Sequence, residues 1–387
     1  MQAHQTVAPA AVPALATEPA DLADAAPPSI DIERGRAELR RWLRRLAKVF
    51  DLEAVRREPA EAGDVVRYYE QNHAAYRRYH SSEGAVHMAL NPEGRFDAAG
   101  FAGPLMRIEA RWRSRPAPPE DVLELAFGQG YNLAWLVPRH EYVRFQGIDL
   151  TPAHVALARA RLAAWTYTTT DSTGPMEAAG ETDPIVPGDP PAARVRLVQG
   201  DFHHLPQADG CIDCAYCIES MCHALDLPRA LGEVSRVLRA GGELILFDGY
   251  LPRPLEALQA EEALAVELVA RGLAVARLQT VDALLAAARS HGLALAQMQV
   301  LDREIMPSLA RLEHLTGTVI RWPWFARRAL ARRPAARSRN VLAGCLMRTT
   351  FGMGLLSYRE IVLRKESRPT RPDPGIEAIE AIEGRGR

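Results

Sequence analysis

Two groups of side chains in this sequence have the chemistry of a reaction centre. Glu219 and His223 stand four residues apart in YCIESMCHA, Tyr216 to Ala224. A carboxyl group there could accept a proton or steady a positive charge, and an imidazole exchanges protons near neutral pH. Far upstream, Tyr68, Tyr69 and Glu70 are followed by Tyr76 and His87. Aromatic faces attract cations, so tyrosines beside a carboxylate suit a reaction that develops positive charge, and His87 is a second candidate base. Plainer roles stay open: the tyrosines could pack a helix, Glu219 could bond backbone amides, and His223 could cap the helix that follows.

Four cysteines overlap the first group. Cys211, Cys214, Cys217 and Cys222 give C-x2-C-x2-C-x4-C followed by His223, a spacing used by iron–sulfur and zinc sites. Ile212 to Ile218, however, reads as a strand. Residues an odd number apart on a strand point to opposite faces, so 211, 214 and 217 do not converge on one ion. The expectation is therefore no metal, with reduced cysteines serving as small apolar residues in a strand covered on both sides.

The elements that must hold these residues begin at DVLELAFGQGYNLAWLVPRHEYVRFQGID, Asp121 to Asp149. An apolar strand ends near Leu125, a glycine turn follows, a helix runs from Tyr131 to about Val137, and a second strand, Arg144 to Ile148, leads into Asp149. Gly128 and Gly130 let the backbone turn sharply and approach a ligand with no Cβ in the way. Asp149, at the carboxyl end of its strand, lies where a carboxylate can accept both hydroxyls of an adenosine ribose. Alone, this half of a nucleotide-binding α/β unit fits either a nicotinamide dehydrogenase or an S-adenosylmethionine methyltransferase. The third position after Gly130 is Leu133, so there is no G-x-G-x-x-G and no second cradle for a pyrophosphate. Further strands read at Val195 to Gly200, ending in Asp201-Phe202, at Ile212 to Ile218, and at Glu243 to Asp248. A helix from Leu227 to Leu238 stops at Ala240-Gly241-Gly242.

With its glycine turn, the Asp201-Phe202 pair and VLRAGGELILFD, the chain resembles the class I S-adenosylmethionine-dependent methyltransferases. YCIESMCHA and the Tyr68-Tyr69-Glu70 segment are similar to the sterol 24-C-methyltransferase branch, which shares much with tocopherol and small-molecule C-, N- and O-methyltransferases. The resemblance covers about Val65 to Gly249 and more weakly extends to Lys365. It implies a doubly wound, mostly parallel seven-stranded sheet with a helical cap. It also implies S-adenosylmethionine as cofactor, held by Glu124, Ala126, Gly128, Gly130, Asp149, Leu150, Asp201, Phe202 and Cys217, and catalysis by Glu219, His223, Tyr69 and Glu70. The implied reaction moves a methyl group to a small lipophilic acceptor, isoprenoid or sterol-like, at carbon. An O- or N-acceptor would instead need His223 or His87 as base. Ala126 stands where the class usually has glycine, so a protein that binds the cofactor without transferring methyl is a further alternative. Asp248-Gly249 and the insertion after residue 166 depart from the sterol enzymes.

Composition frames the rest. An apolar content of 48% in 387 residues is enough for a full core, and a net charge of −1 argues against nucleic acid as the partner of the whole molecule. No apolar run reaches the length of a bilayer span, and the first 30 residues lack the basic start of a secretory signal, so a cytoplasmic address is expected. The expected organisation is a disordered tail at 1–30, a helical region at 31–118 over the active site, and a cofactor domain at 119–365. That domain carries a surface insertion at 167–191 and a helical cap at about 304–355, and a second disordered tail follows at 366–387. A basic amphipathic helix is expected over Ile32 to Leu52. Arg321 to Arg339 holds seven arginines with Trp322, Trp324 and Phe325 and no acidic residue. That segment could be a solvated helix face, a contact for RNA, or a peripheral membrane contact beside the small-molecule acceptor site.

Overall fold

A computed structural model of the chain describes residues 30–58, 63–166 and 191–366. The two expected tails and the insertion expected at 167–191 lie, save Ile30, Pro191 and Glu366, outside the described residues.

Among the described residues, four α-helices precede the sheet. The first, α1 (Ile32–Leu46), is capped by Asp31, whose carboxylate accepts the Arg34 N–H at 3.0 Å. It is shorter than its apolar period suggests, because Asp51 caps a separate helix, α2 (Leu52–Arg57), by accepting the Ala54 N–H. Leu39, Trp42, Leu43 and Leu46 of α1 are buried, and the Trp42 Nε1–H donates to Glu313 Oε1 at 2.9 Å, so the apolar face of α1 is covered by the chain's own core. Helix α3 (Asp64–Ala75) runs directly into a π-helical turn, Tyr76–His80, and α4 (Gly103–Arg113) leads to the sheet.

The sheet and its helices then alternate: β1 (Asp121–Leu125), α5 (Tyr131–Leu136), β2 (Arg144–Asp149), α6 (Pro152–Thr166), β3 (Val195–Gln199), β4 (Ile212–Ile218), α7 (Leu227–Val237), β5 (Leu238–Tyr250). After β5 come α8 (Ala260–Gly272), α9 (Val281–Ser290), β6 (Leu293–Val300), α10 (Asp302–Val319), α11 (Pro323–Leu330), α12 (Ala335–Gly352) and β7 (Ser357–Lys365). The strand order is β3-β2-β1-β4-β5-β7-β6, with β7 antiparallel to both neighbours and the other pairings parallel. This is the doubly wound seven-stranded architecture expected. The chain reverses its direction of winding between β1 and β4, and a crevice opens there at the carboxyl ends of the strands.

A second boundary, after that of α1, also differs from expectation. The Ala240-Gly241-Gly242 stretch is not a turn ahead of β5 but lies inside it. Gly241 takes φ +77°, and the pairing of β4 with β5 slips between Ile212 and Cys214, so an irregularity absorbs the residues that would otherwise end the strand. The cysteines follow strand geometry. Cys214 belongs to the apolar cluster on one face of the sheet and Cys217 to the cluster on the other.

Candidate active site

The crevice is floored by the loop between β1 and α5. Three of its residues have positive φ: Ala126 (57°), Gly128 (56°) and Gly130 (75°). At Gly130 a Cβ would fall 2.9 Å from the Ala158 Cβ, so the loop can reach α6 only because that side chain is missing. Ala126 carries a side chain in a backbone region that favours glycine, at a strain of about 1–2 kcal/mol, and its N–H is held by the Ile148 carbonyl at 2.7 Å. Asp149 is buried and ties the loop down: its carboxylate accepts the Gly128 N–H and the Thr151 N–H, both at 2.8 Å. Oδ1 also faces the His154 Nδ1 at 3.4 Å, while Oδ2 keeps a lone pair for a further donor such as a ribose hydroxyl. Below the loop, Glu124 accepts from Asn132 Nδ2 at 2.7 Å and from the Tyr216 hydroxyl at 2.9 Å, and burial pushes it up to about 7. Its role in the fold is to brace α5 against β4.

The remaining residues expected at the cofactor are spread around this loop. Leu150 is exposed just beyond Asp149. Asp201 accepts from the His203 Nδ1 and N–H, while Phe202 is half-buried against the core. Cys217 is fully buried within β4, and burial raises its thiol well above the usual range.

Beside the loop lies a cavity of about 790 Å³, lined from α3, the π-helical turn, the ends of β4 and β5, and α8, α10, α11 and α12. Most of the lining is apolar; Glu219, His223 and Asp248 lie where β4 and β5 end, and His314, Thr316, Thr318, Arg333 and Arg337 line the helical side. Glu219 follows β4 and holds φ +50°, an unfavourable backbone for a residue with a side chain. Its Oε1 accepts the Met88 N–H at 2.6 Å and the Tyr358 hydroxyl at 2.8 Å, yet burial still pushes the carboxyl up to about 8, so it carries its proton at neutral pH. Asp248, at the end of β5, accepts the Cys222 N–H and the Gly249 N–H, and burial raises it to about 6.

His223 faces the same space. Its Nδ1 lies 3.3 Å from the Ala274 carbonyl, which can only accept, so Nδ1 carries the hydrogen and Nε2 offers a lone pair to the Tyr69 hydroxyl at 3.4 Å. Burial lowers the imidazole to about 4, which keeps it neutral. Tyr68 donates to Asn340 Oδ1 at 3.2 Å and receives the Tyr76 hydroxyl at 2.7 Å. The Tyr68 and Tyr69 rings meet edge to face with centroids 5.1 Å apart, forming an aromatic wall above Glu219.

Of the residues read as catalytic, Tyr69, Glu219 and His223 therefore line one cavity, with Tyr68 and Tyr76 beside them. Glu70 does not: it is exposed, because consecutive helical residues diverge by about 100° and Tyr68 and Tyr69 take the inward face. His87 is buried outside the cavity lining, its ring nitrogens turned to the Met88 carbonyl and the Asn132 amide oxygen. Tyr358, Asn340, Asp248 and the Met88 amide escaped sequence reading. Only the Asp248 position, a carboxylate ending a strand beside Glu219, left a signal that could have found it.

A family model described as a methyltransferase domain matches residues 123–246. An O-methyltransferase from Pyrenophora dematioidea is 29% identical over 167 residues, 43% of this chain and 53% of that protein. A 24-methylenesterol C-methyltransferase from Oryza sativa is 34% identical over 87 residues, 22% of this chain and 24% of that one. The chain spans about half the length of three curated relatives, 53%, 46% and 57%. Among solved structures, a cyclopropane synthase from Mycobacterium tuberculosis superposes with a TM-score of 0.57 at 14% identity, covering 80% of this chain and 100% of that one. Among the described residues, no helix is long and apolar enough to cross a membrane.

Proposed function

We propose, from the premise that this chain carries a class I S-adenosylmethionine-dependent methyltransferase domain, that it transfers a methyl group to a carbon of a small lipophilic acceptor held in the cavity beside Glu219. The observation that carries this reading is a large, mostly apolar chamber in which a buried carboxyl stands with tyrosine rings. An isoprenoid or sterol-like skeleton matches both its size and its lining.

S-adenosylmethionine suits the loop on chemical grounds. Gly128 has no Cβ to obstruct an adenosine, and Asp149 Oδ2 keeps a lone pair for its ribose at the carboxyl end of β2. When bound, the group supplies a methyl already activated as a sulfonium, so the protein's work is alignment, exclusion of water and management of charge and proton. With an alkene as acceptor, methylation of one carbon by its π pair would leave positive charge on the neighbouring acceptor carbon. The Tyr68 and Tyr69 faces steady that charge. The ionised form of Glu219 then takes a proton from the adjacent carbon and restores the double bond, while Tyr358 and the Met88 amide hold the carboxylate in place.

A second reading rests on the Tyr69–His223 pair. With Nδ1 donating to Ala274, the Nε2 lone pair can receive a proton relayed through the Tyr69 hydroxyl from an acceptor hydroxyl, which is the requirement of an O-methyltransferase. Incubation with methyl-labelled S-adenosylmethionine and an apolar extract decides between them. Label in a neutral hydrocarbon or sterol fraction, stable to reagents that cleave methyl ethers, supports carbon. Label released as a methyl ether or ester supports oxygen, and no transfer from any extract refutes both.

A further inference from the structure

The cavity opens to the surface along α11 and the π-helical turn. Trp322, Phe325, Ala326, Ala329 and Leu330 line it, so one stripe of α11 forms the cavity's outer wall. Several of the lining residues are also turned to solvent: Tyr79 is 48% exposed, Val319 44%, Trp322 69% and Phe325 63%. Trp324, at 78%, extends the apolar surface on the far side of α11. Isolated exposed apolar residues are ordinary, but five large ones gathered at a cavity mouth form a patch.

The charge around this patch has one sign. Arg321, Arg327, Arg328, Arg332 and Arg333 are exposed on or next to α11, and Arg77 and Arg78 flank Tyr79, with the Arg78 guanidinium 5.6 Å from its ring centroid. No Asp or Glu occurs from His314 to Arg359. Among the described residues, Arg339 pairs with Glu58, whereas none of the arginines on α11 has an acidic partner. Solvation alone does not require tryptophans beside arginines. An anionic bilayer surface takes both, with aromatic rings at headgroup level and guanidinium groups on the phosphates.

We propose that this rim rests on an anionic lipid bilayer, with Trp324, Trp322, Phe325 and Tyr79 in the headgroup region, so that the acceptor passes from the membrane into the cavity without crossing water. The inference rests on the reading of the cavity as a lipophilic acceptor's site, yet binding to lipid needs neither cofactor nor methyl transfer. Its test therefore stands apart from that reading's own.

The experiment is flotation of the full chain with vesicles of phosphatidylcholine alone and of phosphatidylcholine with phosphatidylglycerol. The expected result is partition to the phosphatidylglycerol vesicles, weakening as salt is raised. Trp324→Ala, and separately the double change Arg327→Glu and Arg328→Glu, should each lower the partition coefficient by about tenfold or more. None of these three residues lines the cavity, and all three are exposed, so the melting temperature and S-adenosylhomocysteine affinity should not move. Brominated lipid should quench part of the fluorescence of the natural chain, and Trp324→Phe should lose Trp324's share of that quenching while Trp322 keeps the rest. Absence of partition, partition equal in the natural chain and both variants, or capture of the chain by RNA in preference to these vesicles would each overturn the proposal. Vesicle binding with no binding of S-adenosylhomocysteine would leave this inference standing and remove the methyltransferase reading.

Discussion

Replacing Glu219 by Gln should change the pH dependence of stability in a way that reports directly on the buried carboxyl. The glutamine keeps the shape and the Oε1 acceptor for the Met88 N–H and the Tyr358 hydroxyl, and it copies the uncharged form. In the folded chain the carboxyl is raised from its ordinary 4.5 to about 8, so between these values the folded state holds a proton that the unfolded state has released. Stability from this group is fully present below pH 4.5 and is lost as pH rises towards 8; above that it stays low. At about 1.4 kcal/mol per pH unit the full window bounds the effect at about 5 kcal/mol. Water entry and rearrangement around the ionised group reduce it, so about 2–4 kcal/mol is expected. Urea unfolding at pH 5 and pH 9 provides the assay. The two proteins should match at pH 5, and the Gln variant should exceed the natural chain by that amount at pH 9. Glu124, buried beneath the glycine loop, titrates in both proteins and cancels in the difference. Parallel stability curves would show that Glu219 does not hold a proton in the fold, and the charge assigned to the cavity would be wrong.

Three further outcomes follow from the geometry. Asp149→Ala removes the acceptor for the Gly128 and Thr151 amides as well as the ribose, so titration calorimetry should show S-adenosylhomocysteine binding weakened by about 1.5–3 kcal/mol, with NAD not bound by either protein. Gly130→Ala places a Cβ 2.9 Å from Ala158 at φ +75°; it should cost about 2 kcal/mol of stability in denaturant melts and at least tenfold in cofactor affinity. His223→Ala separates the acceptor classes through the pH–rate profile: an oxygen acceptor would lose an acidic limb near pH 4, where burial has moved the imidazole, while a carbon acceptor would keep a rise near 8 from Glu219.

What could be read from the sequence was what local periodicity and strand ends encode. The run from Asp121 to Asp149 announced strand, glycine loop, helix and strand because each apolar period is short and bounded by turn residues, and Glu219 was found because it ends a central strand. Tyr358 was not legible. It lies 139 residues from Glu219 and reaches it because antiparallel β7 pairs Gly249 with Tyr358, a register no local pattern declares. The Met88 contribution is a backbone amide and carries no residue signature. Glu70 was misjudged for the opposite reason: adjacency in sequence suggested adjacency in space, whereas on α3 it points away from Tyr68. The α10–α12 block was recognisable as apolar helix, but which stripe lines a cavity depends on packing against α3 and α8.

On the proposed reading, the glycine loop and the cavity are two halves of one reaction centre, meeting at Tyr69 and Glu219. A crystal structure of the full chain with S-adenosylhomocysteine tests it most directly. The adenosine should lie at the Gly128–Asp149 loop with ribose hydroxyls on Asp149, and the sulfur should turn into the cavity towards Glu219 and the Tyr68–Tyr69 wall. A ligand bound elsewhere, or one whose sulfur is walled off from the cavity, would contradict it.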